Sequence, residues 1–437
     1  MLVNNALQTE IAQTLNQQGP AMSVRTFELP SIHLLNLATV LDIAPMVYLS
    51  SPAQTSQYLA IGAWQSFNQS EAETFLATAP NTIQLFGGQA FHPDHAHHLP
   101  EAYWILPKCW LHTTPTSTQL VVVCDTLTQT PDTCNQQLQT LFTHINHAAI
   151  TKPAAMDYFY TDMQHKPNQR DWEMAVQTQV NNIKQGQLQK VVLARQSTCT
   201  FNQAVNPFAM LATLQAHDPN VHHFCIQFHT HKAFIGGTPE RLFQIDNHTL
   251  YTEAIAGTLL KQNDINIDQL KTTLIENKKL HSEHAYVVDW LQTQLQTLCT
   301  STDASQPSVI ELTHLMHRIQ SFTGTLAPDT SAWDCLRQLH PTPAVAGTPT
   351  HQAVATIKQT DPFLRDWYAG PVGYISNKHS RILVAIRSAI VDLTQPTVTL
   401  FSGAGIVSDS DPQTEWAEIN GKISGFTTLF KRTPVYG

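Results

Sequence analysis

The strongest constraint on the fold is a succession of apolar segments, rich in β-branched residues, that are joined by short turns. They cover residues 190–201, 222–230, 232–237, 241–257, 368–376, 381–393 and 397–407. The segment 241–257 contains Asp246–Asn247, a dipeptide suited to a tight hairpin turn. Because successive strands meet at short turns, we expect mostly antiparallel sheet with helices covering it. The sequence therefore predicts an α+β fold.

Two helices carry acidic side chains. From about Ile267 to Leu298, apolar residues at alternating spacings of three and four predict one long helix. Near the C-terminus, Trp416, Ile419 and Ile423 form the buried stripe of another helix. Ser410 is the predicted N-cap of this last helix, because a glutamine follows three residues later in the capping-box position.

The first third of the chain has strand-like pieces, MVYLS, YLAIGAW and LVVVCD, separated by polar, proline-containing stretches. Residues 151–172 turn polar, which makes them the predicted junction between an N-terminal part and a C-terminal core. We place the division at residues 1–165 and 166–430.

Composition excludes several classes of protein. The formal net charge is −9, and Lys/Arg-rich runs are absent from the sequence, so electrostatic binding to nucleic acid or to an anionic bilayer is not expected. No apolar run reaches the ~18 residues that span a membrane, and the start lacks the pattern of a secretory signal. The 7 scattered cysteines form neither CxxC pairs nor an even set, which favours a reducing cytoplasm.

Three glutamates are candidate metal ligands. Glu415 and Glu418 lie in the first turns of the last helix, where acids can simply complement the helix dipole. Glu283 shares an apolar helical face with Val287 and Trp290, and a buried unpaired carboxylate would cost several kcal/mol. Either a nearby Lys or Arg or a hard cation such as Mg²⁺ would compensate its charge. The flanking histidines are spaced by three residues rather than the four of HExxH, which disfavours zinc.

Lys190 and Glu240 are candidate acid–base groups. Lys190 opens the strand KVVLAR, where a lysine is usually solvated; as a base it would need its pKa lowered by about 3 units through burial or nearby cations. Glu240 follows GGTP at a tight turn, where an acid is usually exposed; as a general acid it would need a raised pKa. Periodicity alone does not choose between these interpretations.

Nine motifs resemble the chorismate-utilising enzyme family, and they occur in order from about residue 170 to 428. They are KVVLAR, GGTPERLF, EAIAGT, HSEH, LHPTPAVAGTP, YAGPVGY, VAIRSA, SGAGIV and SDPQTEWAEINGK. The resemblance implies the anthranilate-synthase-like fold, with two large, mostly antiparallel sheets packed together and helices outside. It also implies that the N-terminal part adds strands to this fold and that residues 166–430 form the chorismate-binding catalytic core.

The resemblance further implies a set of site residues and a Mg²⁺ cofactor. Glu283 and Glu418 match metal ligands, and Glu415 matches an acidic neighbour that acts through water. The implied substrate-binding residues are Gly257, Thr258, His314, Tyr368, Arg387, Gly403, Gly405 and Lys422.

Two positions favour water over ammonia as the nucleophile. Family members that use ammonia typically carry Gln where this chain has Lys190, and aminodeoxychorismate synthases carry Lys where this chain has Ala256. The resemblance then implies conversion of chorismate to isochorismate, with Lys190 as base, Glu240 as acid and no obligatory glutaminase partner. Formation of salicylate by further elimination of pyruvate is the alternative that the motifs leave open. The N-terminal part is longer than in many members of siderophore pathways, which favours the menaquinone type.

The chain departs from the family pattern in the segment TDPFLRDWYAG. Family members often have Glu and Gly where this chain has Asp361 and Asp366. Asp366 lies two residues before Tyr368, and the sequence gives no reason for it.

Overall fold

The structure is a computed structural model that describes residues 2–16, 22–125, 129–152, 157–229, 231–261, 266–311 and 315–432. The helices are α1 (Asn5–Asn16), α2 (Leu34–Val40), α3 (Gln69–Thr78), α4 (Pro131–Ile150), α5 (Gln169–Lys184), α6 (Pro207–His217), α7 (Ile267–Glu276), α8 (Lys278–Leu298), α9 (Ala332–Leu339), α10 (Thr350–Thr360) and α11 (Pro412–Thr427). Short 3-10 helices span Pro52–Gln54 and Pro93–His95.

The strands fall into two sheets. They are β1 (Met22–Leu29), β2 (Met46–Ser50), β3 (Gln57–Ile61), β4 (Gln65–Phe67), β5 (Leu85–Gln89), β6 (Ala102–Leu106), β7 (Cys109–Thr113), β8 (Thr118–Asp125), β9 (Tyr158–Lys166), β10 (Lys190–Phe201), β11 (His222–Gln227), β12 (Lys232–Thr238), β13 (Arg241–Asp246), β14 (Thr249–Leu260), β15 (Cys299–Ala304), β16 (Ser308–Glu311), β17 (Leu315–Leu326), β18 (Gly347–Thr348), β19 (Pro371–Ile375), β20 (His379–Val384), β21 (Ser388–Asp392), β22 (Thr397–Ile406) and β23 (Phe430–Arg432).

Strands from both parts of the chain join in each sheet. Counting only the described residues, the first sheet has 13 strands in the order β1-β8-β7-β3-β2-β11-β12-β21-β22-β10-β9-β23, with β18 pairing on β10. The second has 10 strands in the order β15-β17-β14-β13-β20-β19-β5-β6-β4, with β16 on β17. The β9–β23 pair is parallel. The predicted α+β fold of two large, mostly antiparallel sheets is confirmed, while the division at residue 165 stays a prediction.

The main core lies between the two sheets. Alternate side chains of one strand point to opposite faces of its sheet. In β11 of the first sheet, Phe224 and Ile226 therefore point into the main core, to which the second sheet contributes Phe86 and Trp104. Cys225 faces the other way, into a core covered by α2, α4 and α6. Within the part of the chain that the structure describes, no helix is long and apolar enough to cross a membrane.

Two local predictions about helices were wrong. The helix predicted over 267–298 is divided at Asn277, whose side-chain oxygen accepts the N–H of Leu280 at 3.1 Å and begins α8. The last helix is capped by Asp411 rather than Ser410, because Asp411 Oδ1 accepts the N–H of Thr414 at 2.8 Å. The hydroxyl of Ser410 instead accepts the N–H of Val407 at 3.1 Å, within the preceding turn.

Candidate active site

Adjacent strands place Lys190 over a glycine. Lys190 begins β10, which pairs with β22 so that Val192 lies opposite Gly405. A Cβ at Gly405 would lie 2.8 Å from Lys190 Cε, closer than such atoms approach. Gly405 therefore leaves the space in which the lysine side chain crosses the neighbouring strand.

The lysine is one of the residues that line a cavity. The residues that line it include predicted site residues from both sheets and two helices: Lys190, Glu240, Gly257, Thr258, Glu283, Tyr368, Arg387, Gly403, Gly405, Glu418 and Lys422. The fold therefore brings together side chains that are separated by more than two hundred residues in sequence.

Lys190 is 2% exposed. Burial lowers the pKa of Lys190, and the positive charge of Lys422 lowers it further, while Glu283 opposes the shift. A lysine with a lowered pKa is neutral more often at neutral pH, which is what a general base requires.

Glu240 is 4% exposed, and its backbone N–H donates to Thr238 Oγ1 at 3.1 Å. Burial raises the pKa of Glu240 from 4.5 to about 7, with partial opposition from the charge of Lys190. A carboxyl group with that pKa keeps its proton in a large fraction of molecules at neutral pH, as a general acid must. The cavity thus holds two ionisable groups whose pKa values are shifted in opposite directions.

Arg387 is held by a histidine that sequence reasoning missed. Its Nη2 lies 2.6 Å from His317 Nε2, and His317 Nδ1 lies 3.1 Å from Thr258 Oγ1. Because arginine only donates, Nε2 accepts, and Nδ1 carries the proton donated to Thr258. Burial, followed by the charge of Arg387, lowers the pKa of His317 well below its ordinary value, so this histidine is neutral.

The predicted substrate-facing residue His314 lies outside the described residues. His317 belongs to the same motif, THLMHRI, and lines the cavity. Its position follows from strand register, because His317 pairs directly with Thr258 across β14 and β17. Gly257, the residue before Thr258, has φ +77°, and a Cβ at this position would lie 2.9 Å from Leu280 O. Both observations favour glycine here.

Two carboxylates line the cavity from α8 and α11. Glu283 is 9% exposed, and Glu418 Oε1 lies 2.7 Å from Lys422 Nζ. That nitrogen also donates to Gly403 O at 2.8 Å. Two carboxylates with adjoining space fit the chemistry of Mg²⁺, which takes one or two carboxylates and fills its other positions with substrate and water.

The third predicted acid stands apart from this pair. Glu415 is 1% exposed and is not among the cavity-lining residues. Among the described residues, no group of three or more His, Cys, Asp or Glu side chains is arranged to hold a metal ion. Of the three predicted acids, Glu283 and Glu418 line the cavity and Glu415 does not, and a metal-binding role for each of them stays a prediction.

One of the two departures from the family pattern supports the cavity wall. Asp361 Oδ2 accepts from Arg365 Nε at 2.7 Å, and both side chains are almost fully buried. Arg365 Nη2 donates to Val192 O at 2.7 Å, on the strand that carries Lys190. Asp366, the other departure, lies two residues before Tyr368, which lines the cavity.

A cavity lined by a buried lysine, a buried carboxyl group and further cationic side chains has the groups that acid–base chemistry on a small acidic substrate requires. The chain belongs to the family described as chorismate binding enzyme, whose model matches residues 8–431.

The relatives are consistent with this membership. The chain is 37% identical to isochorismate synthase MenF of Escherichia coli over 62% of each chain, and 29% identical to MenF of Haemophilus influenzae over 97% of this chain and 95% of that protein. The solved structure of the menaquinone-specific isochorismate synthase MenF from E. coli has a TM-score of 0.86 at 29% identity, covering 97% of this chain and 98% of that one. Anthranilate synthase component I from Streptococcus pneumoniae, at 18% identity and a TM-score of 0.71, shares the fold.

Proposed function

We propose that this protein is an isochorismate synthase, an isomerase that converts chorismate to isochorismate. The observation that carries the proposal is one cavity lined by both Lys190, with a lowered pKa, and Glu240, with a raised one. The names of the similar MenF proteins support the same activity.

The proposed reaction is a hydration coupled to a dehydration. Neutral Lys190 takes a proton from water as its oxygen bonds to ring carbon C2. The two ring double bonds shift, the C4–oxygen bond breaks, and Glu240 protonates the departing hydroxyl, which leaves as water. Each proton transfer contributes on the order of 10²–10⁴ in rate. One water is consumed and one is released, so substrate and product are isomers, and exchange with solvent restores both protonation states.

Glu283 and Glu418 are the residues that would hold Mg²⁺, and Glu415 would act on it through water. When bound, this ion supplies positive charge to a substrate carboxylate. The ion pair of Glu418 with Lys422 shows that this part of the cavity already concentrates opposite charges.

The remaining assignments concern substrate binding. Arg387, fixed by His317, is proposed to bind a substrate carboxylate together with the Tyr368 hydroxyl. Gly403 and Gly405 allow the ring to approach the strand backbone, and Gly257, Thr258, Lys422 and His314 complete the proposed set.

The pathway and location are part of the same proposal. The names of the similar MenF proteins favour menaquinone biosynthesis over siderophore biosynthesis. The 7 cysteines are free thiols and almost all are buried, in agreement with a cytoplasmic enzyme. Lys190 and Ala256 favour water as the nucleophile, so no glutaminase partner is proposed. The net charge of −9 disfavours a nucleic-acid or membrane partner.

The test is to incubate the purified protein with chorismate and Mg²⁺ and to identify the products by NMR and a lactate dehydrogenase assay for pyruvate. We expect isochorismate without pyruvate. Salicylate with stoichiometric pyruvate would instead identify a salicylate synthase, and an amino-substituted product that requires ammonia would identify an amidotransferase component.

A further inference from the structure

Asp366 occupies an unusual position for an acidic side chain. It is 0% exposed, and its backbone adopts φ +49°, a left-handed conformation that Asp, Asn and Gly accept more readily than other residues. Its Oδ1 accepts three consecutive backbone N–H groups, from His97 at 2.7 Å, His98 at 2.8 Å and Leu99 at 3.2 Å. One carboxylate oxygen therefore organises a whole turn of a distant loop.

The backbone of the same residue is bonded to that loop as well. Asp366 N donates to His95 O at 3.0 Å, and Phe91 N donates to Asp366 O at 2.8 Å. The next residue, Trp367, donates from its indole nitrogen to Pro100 O at 2.7 Å. The loop 91–100 and the turn 365–370 are thus joined at several points, and the three bonds to Oδ1 are the ones assisted by a negative charge.

The turn leads directly to a cavity residue. Tyr368 N donates to Arg365 O at 2.9 Å, which closes the turn around Asp366. The Tyr368 ring stacks on Phe401 with 5.4 Å between centroids. A Cβ placed on Gly403 would lie 2.7 Å from the Tyr368 hydroxyl oxygen. The hydroxyl therefore has little room, and a small shift of the turn would move it relative to the strand that lines the cavity.

We propose that Asp366 is a positioning residue: by binding the amides of residues 97–99 it fixes the turn that aims the Tyr368 hydroxyl into the cavity. Asp366 is not among the residues that line the cavity. Its effect on substrate recognition passes through Tyr368. This proposal rests on the proposed function only in taking chorismate as the ligand of the cavity.

Two substitutions test the proposal without straining the backbone, because both Asn and Gly adopt a φ near +49°. Asp366→Asn keeps an acceptor oxygen but removes the charge, and Asp366→Gly removes the acceptor. We expect the KM for chorismate to rise on the order of 10-fold in Asp366→Gly and by less in Asp366→Asn, while kcat stays within about 2-fold of the native value. The reason is that a contact made equally in the ground state and the transition state affects KM alone.

A double-mutant cycle separates positioning from general stability. If Asp366 acts through Tyr368, Asp366→Gly should raise KM in the native background but add little in the Tyr368→Phe background. A purely structural role would lower Tm in both backgrounds and leave the KM effects multiplicative. Asp392→Asn is the matched control, since Asp392 Oδ1 likewise accepts backbone N–H groups, from Thr394 at 2.8 Å and Gln395 at 3.0 Å, but the turn that it holds contains no cavity-lining residue.

Hydrogen exchange of the amides of residues 97–99 gives a readout that does not depend on the reaction. Faster exchange in Asp366→Asn than in the native protein and in Asp392→Asn is expected. Unchanged exchange, or an unchanged KM in folded Asp366→Asn and Asp366→Gly, would overturn the proposal. If the native protein does not convert chorismate, the proposed function fails while the exchange result still decides whether Asp366 holds the loop.

Discussion

Replacing Glu240 by glutamine should abolish turnover and stabilise the folded protein. Burial raises the pKa of Glu240 from 4.5 to about 7. Between these pH values the folded state keeps a proton that the unfolded state has released, so stability falls as pH rises through this window. At about 1.4 kcal/mol for each pKa unit, the loss reaches about 3 kcal/mol above pH 7. Glutamine has nearly the same volume and does not ionise, so the variant escapes this loss.

The assay is urea unfolding of both proteins between pH 5 and pH 8 without Mg²⁺. The Glu240→Gln protein should be more stable by about 3 kcal/mol at pH 8 and by about 1 kcal/mol or less at pH 5. Glu101→Gln, at an exposed position, should change stability little at either pH. A variant that is less stable than the native protein at pH 8, or a stability difference that does not grow with pH, would refute the assignment of a buried, proton-retaining carboxyl group.

Other substitutions probe the base, its support and the metal pair. Lys190→Ala should abolish turnover in a folded protein that still binds Mg²⁺, and retained activity in this variant would remove Lys190 from the mechanism. In the native protein, kcat/KM should fall at low pH, because a protonated lysine cannot act as a base. Gly405→Ala should lower kcat on the order of 100-fold, because the new Cβ would lie 2.8 Å from Lys190 Cε and displace the lysine. Gly425→Ala is the control and should stay active, because its Cβ would lie at an ordinary 3.7 Å from the nearest atom. Chelation of Mg²⁺ should stop turnover reversibly. Glu283→Gln and Glu418→Gln should each weaken Mg²⁺ binding measured by calorimetry, and an unchanged Mg²⁺ affinity in both variants would place the ion elsewhere.

Strands and their turns could be predicted where local chemistry determines them. The segment KVVLARQSTCTF forms β10 from Lys190 to Phe201, because a β-branched run that alternates between two buried faces favours a strand. The hairpin turn at Asn247 has φ +55°, as an Asp–Asn turn allows. The prediction of one helix over 267–298 failed because the apolar spacing continues past Asn277, which caps the start of a second helix. The prediction of the last N-cap failed because Ser410 and Asp411 are adjacent and both residue types are good caps.

The site could be predicted only in part, because residue spacing does not specify long-range packing. The resemblance to a family brought Lys190, Glu240, Glu283 and Glu418 together, and the structure places all four on one cavity. It did not identify His317, whose role depends on strand register. Nor could it explain Asp366, whose partner His97 lies 269 residues away in sequence.

The proposed reaction requires that solvent water attack C2 of chorismate while the C4 hydroxyl leaves. The most direct test is to run the reaction with Mg²⁺ in H₂¹⁸O and to measure the product by mass spectrometry and ¹³C NMR. We predict isochorismate with one ¹⁸O atom, located on the C2 hydroxyl, and no product from Lys190→Ala. Isochorismate that carries only unlabelled oxygen would show that the original hydroxyl migrates, and would contradict the account.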